Sequence, residues 1–289
     1  MFANVREYYH ASSLRDALKS LGKNEEQIPV PVTGAFHLIS SKLRAATCLV
    51  DISGIGLDYV KCDGRKLTIG GTATFQQIVT SKELNGALNS LLPKAARAYS
   101  TRIQRNTTTL QDVLFGYATY FDLLTALLAL DTQVTVRGKQ KRVVPLAQFF
   151  SHENRAVLSN SEIAVEFLAR LPSGNVGASL QRVALTDGDS VAILNVVAVL
   201  KMAGKKCVEV RIAVGGGVPA PVRLTSLEQE LTGNPFDTAL VESASARAGD
   251  LIQPVTDVRG TAQYRRQISG VLVRRALEEA WQNAKGRTS

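Results

Sequence analysis

The sequence is poor in the residues that disulfides, metal sites and histidine chemistry require. Its 289 residues include only three cysteines and three histidines. Cys48, Cys62 and Cys207 lie far apart and form no paired spacing, which argues against a disulfide framework and a thiolate metal site. We therefore expect no metal in this chain and a reducing, cytoplasmic environment.

Long apolar stretches and common catalytic motifs are also missing. The first ten residues carry charged and aromatic side chains where a secretory signal needs an apolar run, and no segment is long enough to predict a membrane span. The sequence has no Walker-type loop, no His-Glu-x-x-His and no Gly-x-Ser-x-Gly. We expect no membrane segment and no catalytic side chain.

The charge is strongly positive, with 34 Lys and Arg against 25 Asp and Glu, for a net charge of +9. The basic residues are scattered, although Arg265, Arg266, Arg274 and Arg275 fall on one predicted helix. A solvated helix face or a subunit contact explains these arginines, because no nucleic-acid recognition motif accompanies them. We therefore expect no nucleic-acid partner.

Apolar spacing and turn residues predict two domains. A helix behind Ser13 ends at Gly22, and Asp63-Gly64 between alternating runs predicts a hairpin. Pro172 to Gly177 interrupt the apolar pattern, and strands and a helix over 264–281 follow. Because strands gather beside helices without strict alternation, the predicted class is α+β. The predicted domains are residues 1–171, in two parts of about 1–56 and 57–171, and residues 172–289.

Several motifs then occur in order along the chain. The second half contains Gln181-Arg182-Val183-Ala184, a run from Gly215 to Arg223, Asp257-Val258-Arg259-Gly260 and Tyr264-Arg265-Arg266. In this order they resemble the C-terminal signature of the flavin subunit of molybdenum hydroxylases. The first half follows the order of the same family, so the resemblance covers nearly the whole chain.

This resemblance implies a function as well as a fold. The fold would be a two-part FAD-binding domain followed by a C-terminal sheet-plus-helices domain. The chain would be an oxidoreductase component in a hetero-oligomer with a molybdopterin-binding large subunit and a 2Fe-2S small subunit. Electrons would pass from the iron-sulphur clusters through FAD to NAD or another acceptor, so that the chemistry belongs to the cofactor.

The family's first phosphate loop reads Ala-Gly-Gly-Thr-Asp, and the aligned residues here are Val32, Thr33, Gly34, Ala35 and Phe36. Only one of the two glycines is kept. Glycine lets bare backbone approach the diphosphate, whereas Thr33 adds a Cβ atom. The resemblance places Thr33, Gly34 and Ala35 at the cofactor.

The second loop departs further from the family. After Arg105-Asn106 and Thr109, the family's Gly-Gly-Asn is replaced by Gln111-Asp112-Val113. A carboxylate about 4 Å from a phosphate costs on the order of 1 kcal/mol in water and more when it is shielded from water. We expect weakened flavin binding.

Two later positions complete the predicted cofactor site. Asp122 matches a family carboxylate, although capping of the helix that begins at Leu123 explains it equally well. Arg182 stands where a lysine usually lies near the flavin. The predicted cofactor-binding residues are Thr33, Gly34, Ala35, Thr109, Asp122 and Arg182. Two hypotheses remain open: an electron-transferring FAD subunit, and a flavin-free scaffold that holds partner subunits together.

Overall fold

The computed structural model describes residues 4–22, 28–33, 45–115, 121–150, 158–186 and 191–286. The chain forms two compact units, each built from separate segments. The first unit comprises Met1–Ile78, Thr101–Ala118 and Gln133–Ala169, and the second comprises Val79–Ser100, Thr119–Thr132 and Arg170–Ser289. Both units combine helices and strands, and the predicted α+β class is confirmed. The predicted domain division near residue 171 stays a prediction.

The first unit begins with a small parallel sheet. Its strands β1 (Glu7–His10), β2 (Pro29–Val32) and β3 (Cys48–Asp51) lie in the order β1-β3-β2. The helix α1 (Leu14–Leu21) follows β1, with Ser13 as its N-cap and Gly22 as its C-cap, as the sequence predicted. All four residues of β1 are exposed, so this strand carries no apolar alternation by which it could be recognised.

A five-stranded sheet forms the rest of the first unit. Its strands lie in the order β4-β5-β8-β6-β7. They are β4 (Val60–Asp63), β5 (Lys66–Gly70), β6 (Gln133–Arg137), β7 (Lys141–Pro145) and β8 (Ile163–Arg170). The predicted hairpin is confirmed with a shift of one residue, because Asp63 pairs with Lys66 and leaves Gly64 and Arg65 in the turn. Short helices accompany the sheet: α2 (Phe75–Thr80), α4 (Arg102–Thr107), α5 (Leu110–Phe115) and the 3₁₀ helix Leu146–Phe150.

The second unit contains a four-stranded antiparallel sheet in the order β12-β11-β10-β9. Its strands are β9 (Asn175–Val183), β10 (Leu194–Ala203), β11 (Lys206–Gly215) and β12 (Val222–Arg223). Its helices are α3 (Leu91–Arg97), α6 (Asp122–Ala129), α7 (Thr225–Leu231), α8 (Thr238–Ala246) and α9 (Ala262–Lys285), with 3₁₀ helices at Ala87–Ser90 and Ala248–Leu251. Apolar side chains of β10, β11, α7, α8 and α9 form one buried core.

Gly177 lies inside β9, whereas the sequence predicts that it interrupts the apolar pattern between two domains. A Cβ atom on Gly177 would come within 1.9 Å of the Ala280 carbonyl oxygen in α9. The glycine therefore permits close packing of the helix on the strand.

The long helix α9 corrects one prediction about the arginines. Arg265 was grouped with a solvated face or a subunit contact, yet it is fully buried. Its guanidinium donates to the Ile193 carbonyl oxygen (Nε to O, 3.0 Å) and to Asp257 (Nη2 to Oδ1, 2.6 Å). The expectation was wrong for Arg265 because a buried arginine whose N–H groups are bonded is tolerated inside a core. Arg266 and Arg274 are exposed.

Candidate functional site

The structure describes four of the six residues predicted to hold the flavin: Thr33, Thr109, Asp122 and Arg182. Gly34 and Ala35 lie outside the described residues. The first unit brings Thr33 and Thr109 together, with their hydroxyl oxygens 2.9 Å apart. The second unit brings Asp122 and Arg182 together, with Oδ2 and Nε 2.9 Å apart. The part that these residues play in flavin binding stays a prediction.

Thr109 and Asp112 cap the start of α5. The Asp112 amide donates to Thr109 Oγ1 (3.2 Å), and the Thr109 amide donates to Asp112 Oδ2 (3.0 Å). This reciprocal arrangement is a capping box with aspartate in the place of glutamate. Thr109-x-x-Asp112 ahead of an apolar residue was the signal that sequence reasoning missed, because Asp112 was considered only as a charge near phosphate.

Thr33 joins the same cluster. Its hydroxyl donates to Asp112 Oδ1. Because an ionised carboxylate only accepts, the Thr33 hydrogen is used in that bond and the Thr109 hydroxyl must donate to Thr33 Oγ1. The bonds among Thr33, Thr109 and Asp112 therefore form a closed ring, which we call the threonine-aspartate cluster. Both Thr109 and Asp112 are buried.

The backbone N–H groups of residues 109–113 are all donated to oxygen atoms of the chain. Leu110 donates to Ala73 (3.3 Å) and Gln111 to Gly71 (2.8 Å), in both cases to the carbonyl oxygen. Val113 donates to the Thr109 carbonyl oxygen at 3.2 Å. The two remaining amides, those of Thr109 and Asp112, bond within the threonine-aspartate cluster. The donors that helix starts usually leave free are thus satisfied here.

Gln111 fixes this segment to the five-stranded sheet. Its side chain is fully buried, and its Oε1 accepts the Ala164 amide of β8 at 2.8 Å. Its Nε2 has no hydrogen-bond partner in the described ranges. A glycine at position 111 could not make this bond to β8.

The second loop, as folded here, does not fit a diphosphate. A phosphate cradle needs backbone N–H groups that point towards the anion, and those of residues 109–113 are already donated. The fully buried carboxylate of Asp112 lies among them and would repel a phosphate. The expectation of weakened flavin binding stays a prediction.

Asp122 and Arg182 form a second cluster with Asn195 of β10. Asp122 accepts a bond from the Asn195 side-chain amide, and the N-cap of α6 is Phe121. The alternative interpretation of Asp122 as a helix cap is therefore wrong. Burial raises the pKa of Asp122 from its ordinary value of 3.8 to about 6, although Arg182 and Asn195 act to lower it. Asn195 was missed, although it is a polar residue inside an apolar strand.

Within the described part of the chain, no three His, Cys, Asp or Glu side chains come together in a way that could hold a metal ion. None of the helices described there is both long and apolar enough to span a bilayer.

The described residues thus form a parallel three-stranded sheet, a five-stranded sheet, a four-stranded antiparallel sheet and a long C-terminal helix. Two family models match in that order. The FAD binding domain in molybdopterin dehydrogenase matches residues 2–172, and the CO dehydrogenase flavoprotein C-terminal domain matches residues 181–280. The chain belongs to this family of FAD-binding subunits, and the predicted resemblance is confirmed.

The chain is similar to several characterised relatives over nearly its whole length. It is 28% identical to the 6-hydroxypseudooxynicotine dehydrogenase complex subunit alpha of Paenarthrobacter nicotinovorans, covering 96% of this chain and 95% of the relative. It is 26% identical to the carbon monoxide dehydrogenase medium chain of Hydrogenophaga pseudoflava, and the match covers 95% of this chain and 96% of the relative. A solved carbon monoxide dehydrogenase from that organism matches with a TM-score of 0.87 over 98% of this chain and 99% of the matched chain.

Proposed function

We propose that this chain is the medium subunit of a molybdenum hydroxylase complex, in contact with a molybdopterin-binding large subunit and a 2Fe-2S small subunit. The presence of both flavoprotein domains in order supports the proposal. So does the length of the chain, because it spans nearly all of relatives described as medium chains or complex subunits. Exposed basic side chains of α9, such as Arg266 and Arg274, would contribute to subunit contacts.

Within that complex we propose a structural role without bound FAD. The observation that carries this choice is the second loop, whose backbone donors from 109 to 113 are all used inside the protein. A subunit whose loop amides already bond to backbone and side-chain oxygens of the same chain needs no cofactor to order that segment. Its contribution would be to hold the large and small subunits together.

The second candidate role is electron transfer through FAD to NAD or another acceptor. It is favoured by the match to the FAD-binding domain and by the paired Asp122 and Arg182 at predicted flavin positions. Thr33, Gly34, Ala35 and Thr109 would then line the diphosphate. This role requires the second loop to open from the conformation described here.

Co-expression of the tagged chain with its candidate large and small subunits tests both levels of the proposal. We expect all three to co-elute on size exclusion, and we expect less than about one tenth of a flavin per chain after acid release. A chain that elutes alone would refute membership of such a complex. Stoichiometric flavin in a three-subunit complex would instead support the electron-transfer role.

A further inference from the structure

Two residues that the family resemblance aligns with glycines, one in each predicted phosphate loop, contact each other. They are Thr33 in the first loop and Asp112 in the second. The Thr33 hydroxyl donates directly to the Asp112 carboxylate, although the residues are 79 positions apart in sequence. Loss of flavin contacts alone does not account for a hydroxyl donor at one position and a carboxylate acceptor at the other.

The groups around Asp112 are those that would bind an anion. Asp112 Oδ2 accepts the Thr109 amide and Oδ1 accepts the Thr33 hydroxyl, so each carboxylate oxygen has a donor. The Thr109 hydroxyl supports Thr33 at 2.9 Å. Charge-assisted bonds of this kind are about twice as strong as neutral ones, and burial strengthens them further.

We infer that the Asp112 carboxylate is an internal substitute for a phosphate of the flavin, held by hydrogen-bond donors from both loops. The inference rests on the proposed structural role without bound FAD and explains how the second loop is ordered in that role. Gln111 completes the arrangement, because its bond to Ala164 holds the same turn against β8. The two loops are thereby tied together without a cofactor.

If the Asp112 carboxylate takes the place of a flavin phosphate, removing that carboxylate should restore flavin binding. Asp112→Gly frees the Thr109 amide, Gln111→Gly removes the side chain that is bonded to β8, and Thr33→Gly removes the second donor. We expect the full-length triple variant to bind FAD at least about tenfold more tightly than the natural chain, since the Thr109 amide is freed and the repulsion from the carboxylate is lost. Fluorescence quenching of added FAD measures the affinity, with Ile103→Gly on the exposed face of α4 as the control.

A second measurement does not depend on flavin or on the folding of the triple variant. Thr33→Val removes the hydroxyl with little change in shape, and Asp112→Ala removes the carboxylate. In urea unfolding of the full chain, Thr33→Val should lower the folding equilibrium constant about tenfold, and the effect should vanish when Asp112→Ala is already present. Circular dichroism at each urea concentration follows the transition.

Three results would overturn the inference. One is stoichiometric FAD in the natural chain, which leaves its membership of a three-subunit complex unaffected. Another is a folded triple variant whose FAD affinity equals that of the natural chain. The third is independent, additive effects of Thr33→Val and Asp112→Ala on stability. Failure of the chain to co-elute with its candidate partners would refute the proposed complex without bearing on these bonds.

Discussion

Replacement of the buried carboxylate at Asp122 should change how stability depends on pH. Only 4% of its side chain is exposed, and the nearest cation is Arg182 at 2.9 Å. Burial raises its pKa from 3.8 to about 6 in the folded chain. The folded state therefore binds a proton more readily than the unfolded state between about pH 4 and pH 6. Stability from this group is fully present below about pH 4 and is lost as the pH rises through 6.

The size of the effect follows from the two pKa values. A difference of about 2 between the folded and unfolded pKa corresponds to about 3 kcal/mol, of which about 2 to 3 kcal/mol falls between pH 4 and pH 7.5. Other carboxylates change stability in the opposite sense over the same range, since the pKa values of Asp51 and Glu162 are lowered. The contribution of Asp122 must therefore be measured as a difference between variants.

Urea unfolding of the natural chain and of Asp122→Asn at pH 4 and pH 7.5 isolates the contribution. The natural chain should lose about 2 to 3 kcal/mol relative to the variant as the pH rises, because asparagine does not titrate. Glu242→Gln, which removes an exposed carboxylate of α8, serves as the control and should leave the difference unchanged. A difference between natural chain and Asp122→Asn that is flat with pH, or that grows with pH, would refute the reasoning.

Further predictions concern packing and ion pairs. Gly177→Ala should lower the free energy of unfolding by at least about 2 kcal/mol, because the added methyl would lie 1.9 Å from the Ala280 carbonyl oxygen. Arg223→Ala should cost about 3 kcal/mol, since it leaves the carboxylate of Glu228 buried without its 2.6 Å partner. Arg247→Ala, which removes a more exposed ion pair, should cost less than about 1 kcal/mol in the same urea titration.

Elements with local signals were predicted well. The serine cap and the apolar spacing define α1, which begins and ends where the sequence predicts. These features depend on neighbours within a few positions, so the sequence contains them directly. The helix α9 was predicted for the same reason, although its start at Ala262 and its extension to Lys285 were not.

Elements that depend on distant partners were harder to predict. The apolar spacing of residues 84–98 predicts one helix, but the structure breaks it, because Leu88, Asn89 and Ser90 adopt positive φ angles ahead of α3. The Asn89 side chain then accepts the Ala178 amide at 3.1 Å, a bond to β9 that no local pattern reveals. Tertiary contacts of this kind override helix propensity.

The candidate site shows the same limit more sharply. Comparison with the family's motifs identified the altered positions at Thr33, Gln111 and Asp112, but it treated each as a separate loss. The residue type shows only that glycine is absent. Diphosphate binding depends on whether each backbone N–H is free, and the carbonyl oxygens of Gly71 and Ala73 already accept two of them. The bond between Thr33 and Asp112 joins loops 79 residues apart and has no signal in the local sequence.

The residues at Thr33 and Asp112 therefore have to be interpreted together, because the two side chains bond to each other. The buried Asp112 carboxylate without donors would destabilise the fold, because an unsatisfied buried polar group costs about 1 to 3 kcal/mol. In the structure the Thr33 hydroxyl and the Thr109 amide are those donors, one to each carboxylate oxygen. A glycine at only one of these positions should therefore lower the stability of the fold without restoring FAD affinity. Flavin binding is expected to return only when both loops are changed.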